Sequence, residues 1–431
     1  MAAIRPFRGL RYAQNKVGNL SDVTAPPYDV ISPAEAHRLR ERHPNNVIRL
    51  ILGESDERHP RAEADYAQAA KCMADWTGAG ILRRDAAPSL YICDQEFEWE
   101  GKRRVRRGLI ARVLLEDLDK GDIYGHEETT PGPKADRLKL MRACRANLSQ
   151  IFALYPGGRD EAAPLLAEAA AGPPQGEATD LNGTVNRIRQ VADSRLIARI
   201  VKVMADKPLF IADGHHRYET ALVYRDQFAG GGKGGDAPSD YVMMHIVAMD
   251  DPGLVIWPSH RLVKGIEAPV LTNLLKKLDE HFDIREHDGS IAEFYNDVQK
   301  AADRHGMGLL TEQGGRYLLT LRSEGVLTGL MPGKSHAFRR LDTAILQSLI
   351  LNCLLGIECE REAKEKMAYT KSLAEAEEMV RVGRFQMAFL LNATRVEDVR
   401  AVAQAREKMP PKSTYFYPKL LSGMVINTFN D

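Results

Sequence analysis

The sequence predicts a mixed α/β chain, and three observations predict it. Short apolar runs alternate with segments of helical period along most of its length. The 431 residues allow two or three domains, each with its own core. One apolar run, Pro208-Leu209-Phe210-Ile211-Ala212, passes directly into Asp213-Gly214-His215-His216-Arg217 and then a helical pattern. That is the strand–turn–helix junction beyond which α/β sheets bind ligands.

Composition narrows the class. Apolar residues make up 44% and charged residues 27%, an ordinary globular mixture. Lys plus Arg (59) equals Asp plus Glu (59), so no global charge favours nucleic acid or an anionic membrane. The basic run Lys102-Arg103-Arg104-Val105-Arg106-Arg107 is read as a solvated strand face. Five irregularly spaced cysteines, Cys72, Cys93, Cys144, Cys353 and Cys359, give neither a disulfide framework nor a C-x-x-C zinc site. No apolar h-region opens the chain, and no stretch nears the ~18 apolar residues of a membrane span. A soluble, cytoplasmic protein is expected.

The elements follow in order. Residues 1–31 read as extended, because Pro26-Pro27 fixes φ and removes donors. Ser32-Pro33 opens a helix to about His43, with Glu35 completing a capping box. Val47 to Leu52 reads as a strand, and residues 61–80 as an amphipathic helix ending at Gly78. Leu90–Asp94 and Val105–Leu115 alternate as strands joined by a turn at Glu100-Gly101-Lys102. A polar loop, Tyr124 to Lys134, leads into a helix from Ala135 to about Ala146; Gln150–Tyr155 is a strand. Residues 171–178 read as loop, Asp193–Ala205 and Tyr218–Asp226 as helices, 229–235 as a glycine-rich loop, and Tyr241–Asp250 as a buried strand. Helices over 268–281 and 291–304 alternate with Phe282-Asp283-Ile284 and a hairpin of Gly308–Leu310 with Tyr317–Leu321. Residues 340–381 read as mostly helical, Phe385–Leu391 as a strand, and 395–407 as a helix. The domains expected are a main α/β domain over 1–265, an α+β subdomain over 266–340, and a helical segment over 341–431 whose strand returns to the main domain.

Four constellations carry chemistry. In the first, Gly214 permits an unusual turn, and a helix N-terminus offers free N–H groups and a positive dipole end to an anion. Arg217 adds a bidentate partner for phosphate or carboxylate. His215 and His216 titrate near neutrality, while Asp213 can orient a histidine, hold Mg²⁺ or take a proton. The plainer alternative is an N-cap with surface histidines. The second is His126-Glu127-Glu128-Thr129-Thr130 with Lys134, Asp136 and Arg137. Its carboxylates suit a base or a metal, with Glu128 and Asp213 as candidate metal ligands, and Lys134 and Arg137 suit phosphates. A solvated turn capping a helix is its alternative. The third is Pro26-Pro27-Tyr28-Asp29, a rigid clamp or substrate contact. The fourth is Lys412-Ser413-Thr414. It lacks the upstream glycines of a P-loop, yet Lys412 and Ser413 can still meet an anion. His260-Arg261 is a weaker candidate for substrate. A zinc site on His215, His216, His245 and His260 is disfavoured, because adjacent histidines at a helix start point apart.

Ala25-Pro26-Pro27-Tyr28-Asp29-Val30-Ile31, Asp213 to Ala221 and Pro411 to Lys419 together resemble the DUF1015 family, in order and across essentially the whole chain. Gly214 to Ala221 is also similar to the phosphate-binding box of ParB-like nucleotide-binding proteins. It looks closer still to the Asp-Gly-His-His-Arg box of free-serine kinases. That resemblance implies a ParB-like core elaborated with α+β subdomains, ATP or ADP with Mg²⁺ as cofactors, and phosphorylation of a small hydroxyl substrate such as free L-serine. In those kinases the catalytic acid lies shortly before the box. Here most of the first half of the chain separates the N-terminal motif from it, so Asp29, Asp213, Glu127 and Glu128 all stay open as the base. The rival readings are a non-enzymatic nucleotide-binding regulator and a phosphate-ester hydrolase using the histidines. The partners expected are a small molecule and a nucleotide, without membrane or nucleic acid; a homodimer is compatible with the sequence.

Overall fold

The computed structural model describes residues 3–53, 61–158, 161–228 and 237–430. The chain divides into two compact units: Met1–Gly125, Thr129–Val255 and Pro418–Asp431 form one, His126–Glu128 and Ile256–Tyr417 the other. The fold is mixed α/β, with helices interspersed among parallel and antiparallel strands.

The first unit is built on a sheet that has nine strands among the described residues. Its order runs Ile123–Tyr124, Leu209–Asp213, Ile151–Tyr155, Tyr241–Ala248, Lys102–Leu114, Leu90–Trp99, Val185–Val191 and Gly176–Thr179, with Ile4–Arg5 on Lys102–Leu114. Two neighbouring pairs are parallel, Leu209–Asp213 with Ile123–Tyr124 and Tyr241–Ala248 with Ile151–Tyr155. Both faces are covered. Tyr91, Cys93, Ile110 and Met243 enter one core, while Leu90, Ile92, Leu109, Ala111, Met244 and Ile246 enter the other. Burial on both sides is why these strands read as continuous apolar runs. The Glu100-Gly101 turn has φ 50° and 68°, the left-handed pair of a two-residue hairpin, and it pairs Trp99 with Lys102.

The second unit carries a wholly antiparallel sheet of six strands among the described residues. Its order is Phe282–Glu286, Arg316–Leu321, Met307–Thr311, Met387–Leu390, His260–Val263 and Met367–Thr370. Phe294, Val298, Leu310, Leu318, Val380 and Leu390 are among its core residues.

Several local expectations change. Val47–Leu52 is not a strand; Ile48–Ile51 is a short buried helix. Asn46 decides this: its amide donates to the Asp22 and Thr24 carbonyls while its oxygen accepts from Ile48 N–H. An apolar run that short has no period to distinguish the two. The loop expected at 171–178 contains the strand Gly176–Thr179, paired with a strand the sequence did not signal, Val185–Val191. The helix after the polar loop starts earlier, at Pro131, and ends at Cys144, where Arg145 takes φ 47°. Within 340–381 the helix Leu346–Leu354 has wide π-type turns, and Met367–Thr370 is an edge strand. The Ser32 capping box forms, with Ser32 N–H donating to Glu35 at 2.8 Å. The basic run is only partly a solvated face. Arg103 pairs with Glu96 and Arg107 with Asp94, but Arg106 is fully buried. The glycine-rich stretch 229–235 lies outside the described residues.

Candidate functional site

The strand Leu209–Asp213 is buried through Ala212, and its pairing with Ile151–Tyr155 shifts register between Ile211 and Asp213. That irregularity ends the ladder and brings Asp213 to the strand tip. Gly214 follows at φ +96°, in the region open to glycine. A Cβ there would lie 2.8 Å from Arg217 Nη2, so the guanidinium would have to shift. The helix His215–Phe228 begins immediately, and Tyr218 N–H closes its first turn on the Gly214 carbonyl at 3.0 Å.

Asp213 Oδ2 is shared by two cations, Arg217 Nη2 at 3.6 Å and Lys419 Nζ at 3.5 Å. Arg217 Nη1 also donates to Ser149 Oγ at 3.1 Å and to the Gln150 carbonyl. His216 Nε2 accepts the Thr130 N–H at 3.0 Å, so the neutral ring carries its proton on Nδ1. This caps the helix Pro131–Cys144, whose first turn lacks that donor's partner within the helix. One turn on, Glu219 accepts from Thr129 Oγ1 at 2.5 Å and from Lys134 Nζ at 3.0 Å. The box therefore fixes the loop before Pro131, and Lys134 is engaged by Glu219.

A second cation pair shares Asp136. Arg61 Nε donates to Oδ1 at 2.8 Å, Tyr66 OH donates to the same oxygen at 2.8 Å, and Arg137 Nε donates to Oδ2 at 2.6 Å. Burial alone would push the Asp136 carboxyl up, but Arg137 and Arg61 outweigh it and hold it below the usual carboxylate range. Arg137 also donates to the Ile51 carbonyl at 2.9 Å, and its guanidinium lies 4.0 Å from the Tyr28 ring centroid. Burial pushes the Tyr28 phenol up, partly opposed by Arg137. Among the described residues, Arg61 Nη1 and Nη2 are buried without a hydrogen-bond partner.

Tyr28, Arg137 and Arg217 line one small cleft. Asn147, Ser149 and Ser422 add polar groups, and Ile51, Leu140, Met141 and Ile151 form apolar walls. Its charged lining residues are Arg137 and Arg217, each paired with a carboxylate, Asp136 or Asp213, that a second cation also meets. Among the described residues, two guanidinium groups and no carboxylate line the cleft, an arrangement suited to a compact anion such as phosphate. It does not suit a protein-held Mg²⁺. Asp213 is bracketed by two cations, which compete with Mg²⁺ for its carboxylate.

The sequence candidates thus divide. Asp213, Gly214, His216, Arg217, Lys134, Arg137 and Tyr28 gather in the first unit, with His215 almost fully buried and Asp29 exposed beside Tyr28. Glu127, half-buried, and Glu128, exposed, group with the second unit, as do His260, Arg261, Lys412 and Ser413. There His260 Nδ1 accepts from Leu391 N–H at 3.2 Å within the sheet. Burial, then Arg261, lowers its pKa to about 4. Arg261 donates to the Pro411 and Lys412 carbonyls at 3.1 and 3.2 Å. Ser413 is buried, its Oγ 2.6 Å from the Pro410 carbonyl and 2.9 Å from Thr343 Oγ1, while Lys412 is exposed at φ 58°. The sequence did not single out Ser149, Asn147, Ser422 or Arg61, and it left Lys419 without a role. Glu219 and Lys419 lie within the quoted motifs, which was the available signal.

Among curated proteins no sequence matches the chain. Solved structures resemble it loosely. A free serine kinase variant in complex with AMP is 13% identical at TM-score 0.38, covering 75% of this chain and 92% of that one. A conserved hypothetical protein from Pyrococcus furiosus is 15% identical at TM-score 0.34, covering 72% and 90%. C-terminally truncated SbnI from Staphylococcus aureus is 12% identical at TM-score 0.33, covering 73% and 85%. The family described as Protein of unknown function (DUF1015) matches residues 4–344, and the chain belongs to that family.

Proposed function

We propose that the protein is a nucleotide-dependent phosphotransferase acting on a small hydroxyl compound, with free L-serine the first acceptor to test. One observation carries the reading: two guanidinium groups, Arg137 and Arg217, each held by a carboxylate that a second cation also meets, line one cleft that no carboxylate lines among the described residues. Phosphoryl transfer asks the protein mainly for positioning and for cations around the moving group. Arg217, Arg137 and the amides of the first turn after Gly214 supply both. His216 and Glu219 hold the Thr129–Thr130 loop that borders them. In the reaction the acceptor oxygen bonds to the terminal phosphorus, the nucleotide leaves one phosphate shorter, and the hydroxyl proton passes to a carboxylate. Asp213 is bracketed by cations, which suits it to orienting them. Asp29 is the proton acceptor in this reading, since it follows Tyr28, which lines the cleft. Mg²⁺ belongs in this reading with the nucleotide phosphates, where it would neutralise charge.

The test is to incubate purified protein with Mg²⁺, L-serine and ATP or ADP, and to follow O-phosphoserine by phosphorus NMR. The expected outcome is product with wild type and its loss with Asp29→Asn. Absence of phosphoserine together with absence of a nucleotide-dependent thermal shift would sink the reading. The bracketing of Asp213 also favours a second reading, a nucleotide-binding regulator without turnover. It predicts a thermal shift with nucleotide, no product with any hydroxyl acceptor, and no effect of Asp29→Asn on the shift.

A further inference from the structure

Arg106 is the largest fully buried side chain among the described residues, and its setting is costly. Burial lowers its pKa to about 10. It stacks 4.6 Å from the Phe152 ring centroid and lies beside His245, whose pKa falls to about 3 through burial and then through Arg106. Its hydrogen bonds are specific. Nε donates to Gln95 Oε1 at 3.1 Å, the residue directly across the ladder, and Nη2 donates to the Pro418 carbonyl. Gln95, also fully buried, donates from Nε2 to the Lys419 carbonyl at 3.1 Å and to Asn186 Oδ1 at 2.9 Å. The two carbonyls that flank Lys419 in the backbone are therefore both held by one buried polar pair. From that pinned backbone the Lys419 ammonium reaches Asp213 Oδ2, the same oxygen that Arg217 Nη2 approaches.

We propose that Lys419 is an anion-contacting residue of the Asp213–Arg217 site, and that the buried Arg106–Gln95 pair is its positioning device. This rests on the reading of the cleft as a phosphate site. The physical reason is entropic. A free lysine loses much rotamer freedom when it binds an anion; the pinned backbone fixes where the Lys419 stem starts, and the ion pair with Asp213 already holds its ammonium, so part of that loss is taken in advance. Asp213, placed between the ammonium and the Arg217 guanidinium, keeps the two cations from separating. A phosphate then meets a preformed pair, with the guanidinium as a planar fork and the ammonium as a point charge.

The test titrates full-length protein with inorganic phosphate and with pyrophosphate at low ionic strength by calorimetry. Lys419→Met is expected to weaken binding roughly tenfold or more, and Lys419→Arg to restore part of it. Gln95→Glu keeps the acceptor for Arg106 but turns the group facing the Lys419 carbonyl into an acceptor. It is expected to weaken binding in wild type and to add nothing in Lys419→Met, a non-additivity that a merely structural role would not give. Should Gln95→Glu fail to fold, Arg106→Lys takes its place in the same cycle. Unchanged phosphate affinity in Lys419→Met overturns the inference, as does a Gln95→Glu effect that persists in the Lys419→Met background. If wild type binds neither anion, the reading of the cleft as a phosphate site falls first, and this inference with it.

Discussion

At the scale of single residues, Gly214 and Arg217 were legible in the sequence as a turn and an anion partner. The structure explains why they depend on each other. A Cβ at position 214 would meet the Arg217 guanidinium at 2.8 Å, and the backbone there is at φ +96°. Gly214→Ala should therefore destabilise by about 1–3 kcal/mol and weaken phosphate binding together, measured by urea unfolding and calorimetry. Arg217→Lys should fold normally, because the ammonium can still reach Asp213, but lose the fork to Ser149 and Gln150. Anion affinity should then drop roughly tenfold. Wild-type affinity in that variant would show that the fork plays no part in binding. Gly108 was not legible at all. It makes room for His245, whose Nε2 would lie 1.9 Å from an added Cβ, so Gly108→Ala should cost about 1–3 kcal/mol by overpacking.

At the scale of elements, the site depends on side chains that tie neighbouring segments. Asp136 joins Arg61, Tyr66 and Arg137 in a buried cluster. Asp136→Asn removes the charge opposite two buried guanidinium groups, and should cost about 3–5 kcal/mol. It should also release Arg137 from its place over Tyr28, lowering anion affinity; an unaltered melting temperature would contradict this account. In the second unit, His305 donates through Nδ1 to Asp342 at 2.8 Å and faces Glu324 at 3.4 Å. Burial would push its pKa down, but Asp342 and then Glu324 outweigh it and leave it raised. A raised folded value means stability that is fully present below the unfolded histidine value of about 6.5, and lost as pH rises through the folded value. Denaturant unfolding at stepped pH should show that loss in wild type and a flatter profile in His305→Gln. No local sequence pattern marks this histidine. Its left-handed backbone, φ 55°, and its two carboxylate partners come from separate segments.

At the scale of the molecule, each unit has its own core. The second is continuous in sequence from Ile256 to Tyr417 apart from His126–Glu128. Residues 256–417 expressed alone are expected to give cooperative unfolding and dispersed amide resonances, and an unfolded spectrum would show that this unit depends on the rest of the chain. The first unit cannot be cut out in this way, because Pro418–Asp431 closes it. Ile426 bonds Leu10, Ser422 bonds Ala25, and Asn427–Thr428 pairs with Ala146–Asn147. Truncation after Tyr417 should leave it without a native fold. The sequence by itself determined the mixed α/β class, the Ser32 capping box, the Glu100-Gly101 hairpin and the strand–turn–helix at Asp213. Each follows from local period, a fixed φ or a cap, which neighbouring residues dictate. Only the tertiary structure decided that Arg106 in a basic run is buried, that Val47–Leu52 coils around Asn46, and that Lys419 meets Asp213. Those outcomes depend on which carbonyls and charges arrive from distant segments, and no period within a local window records them.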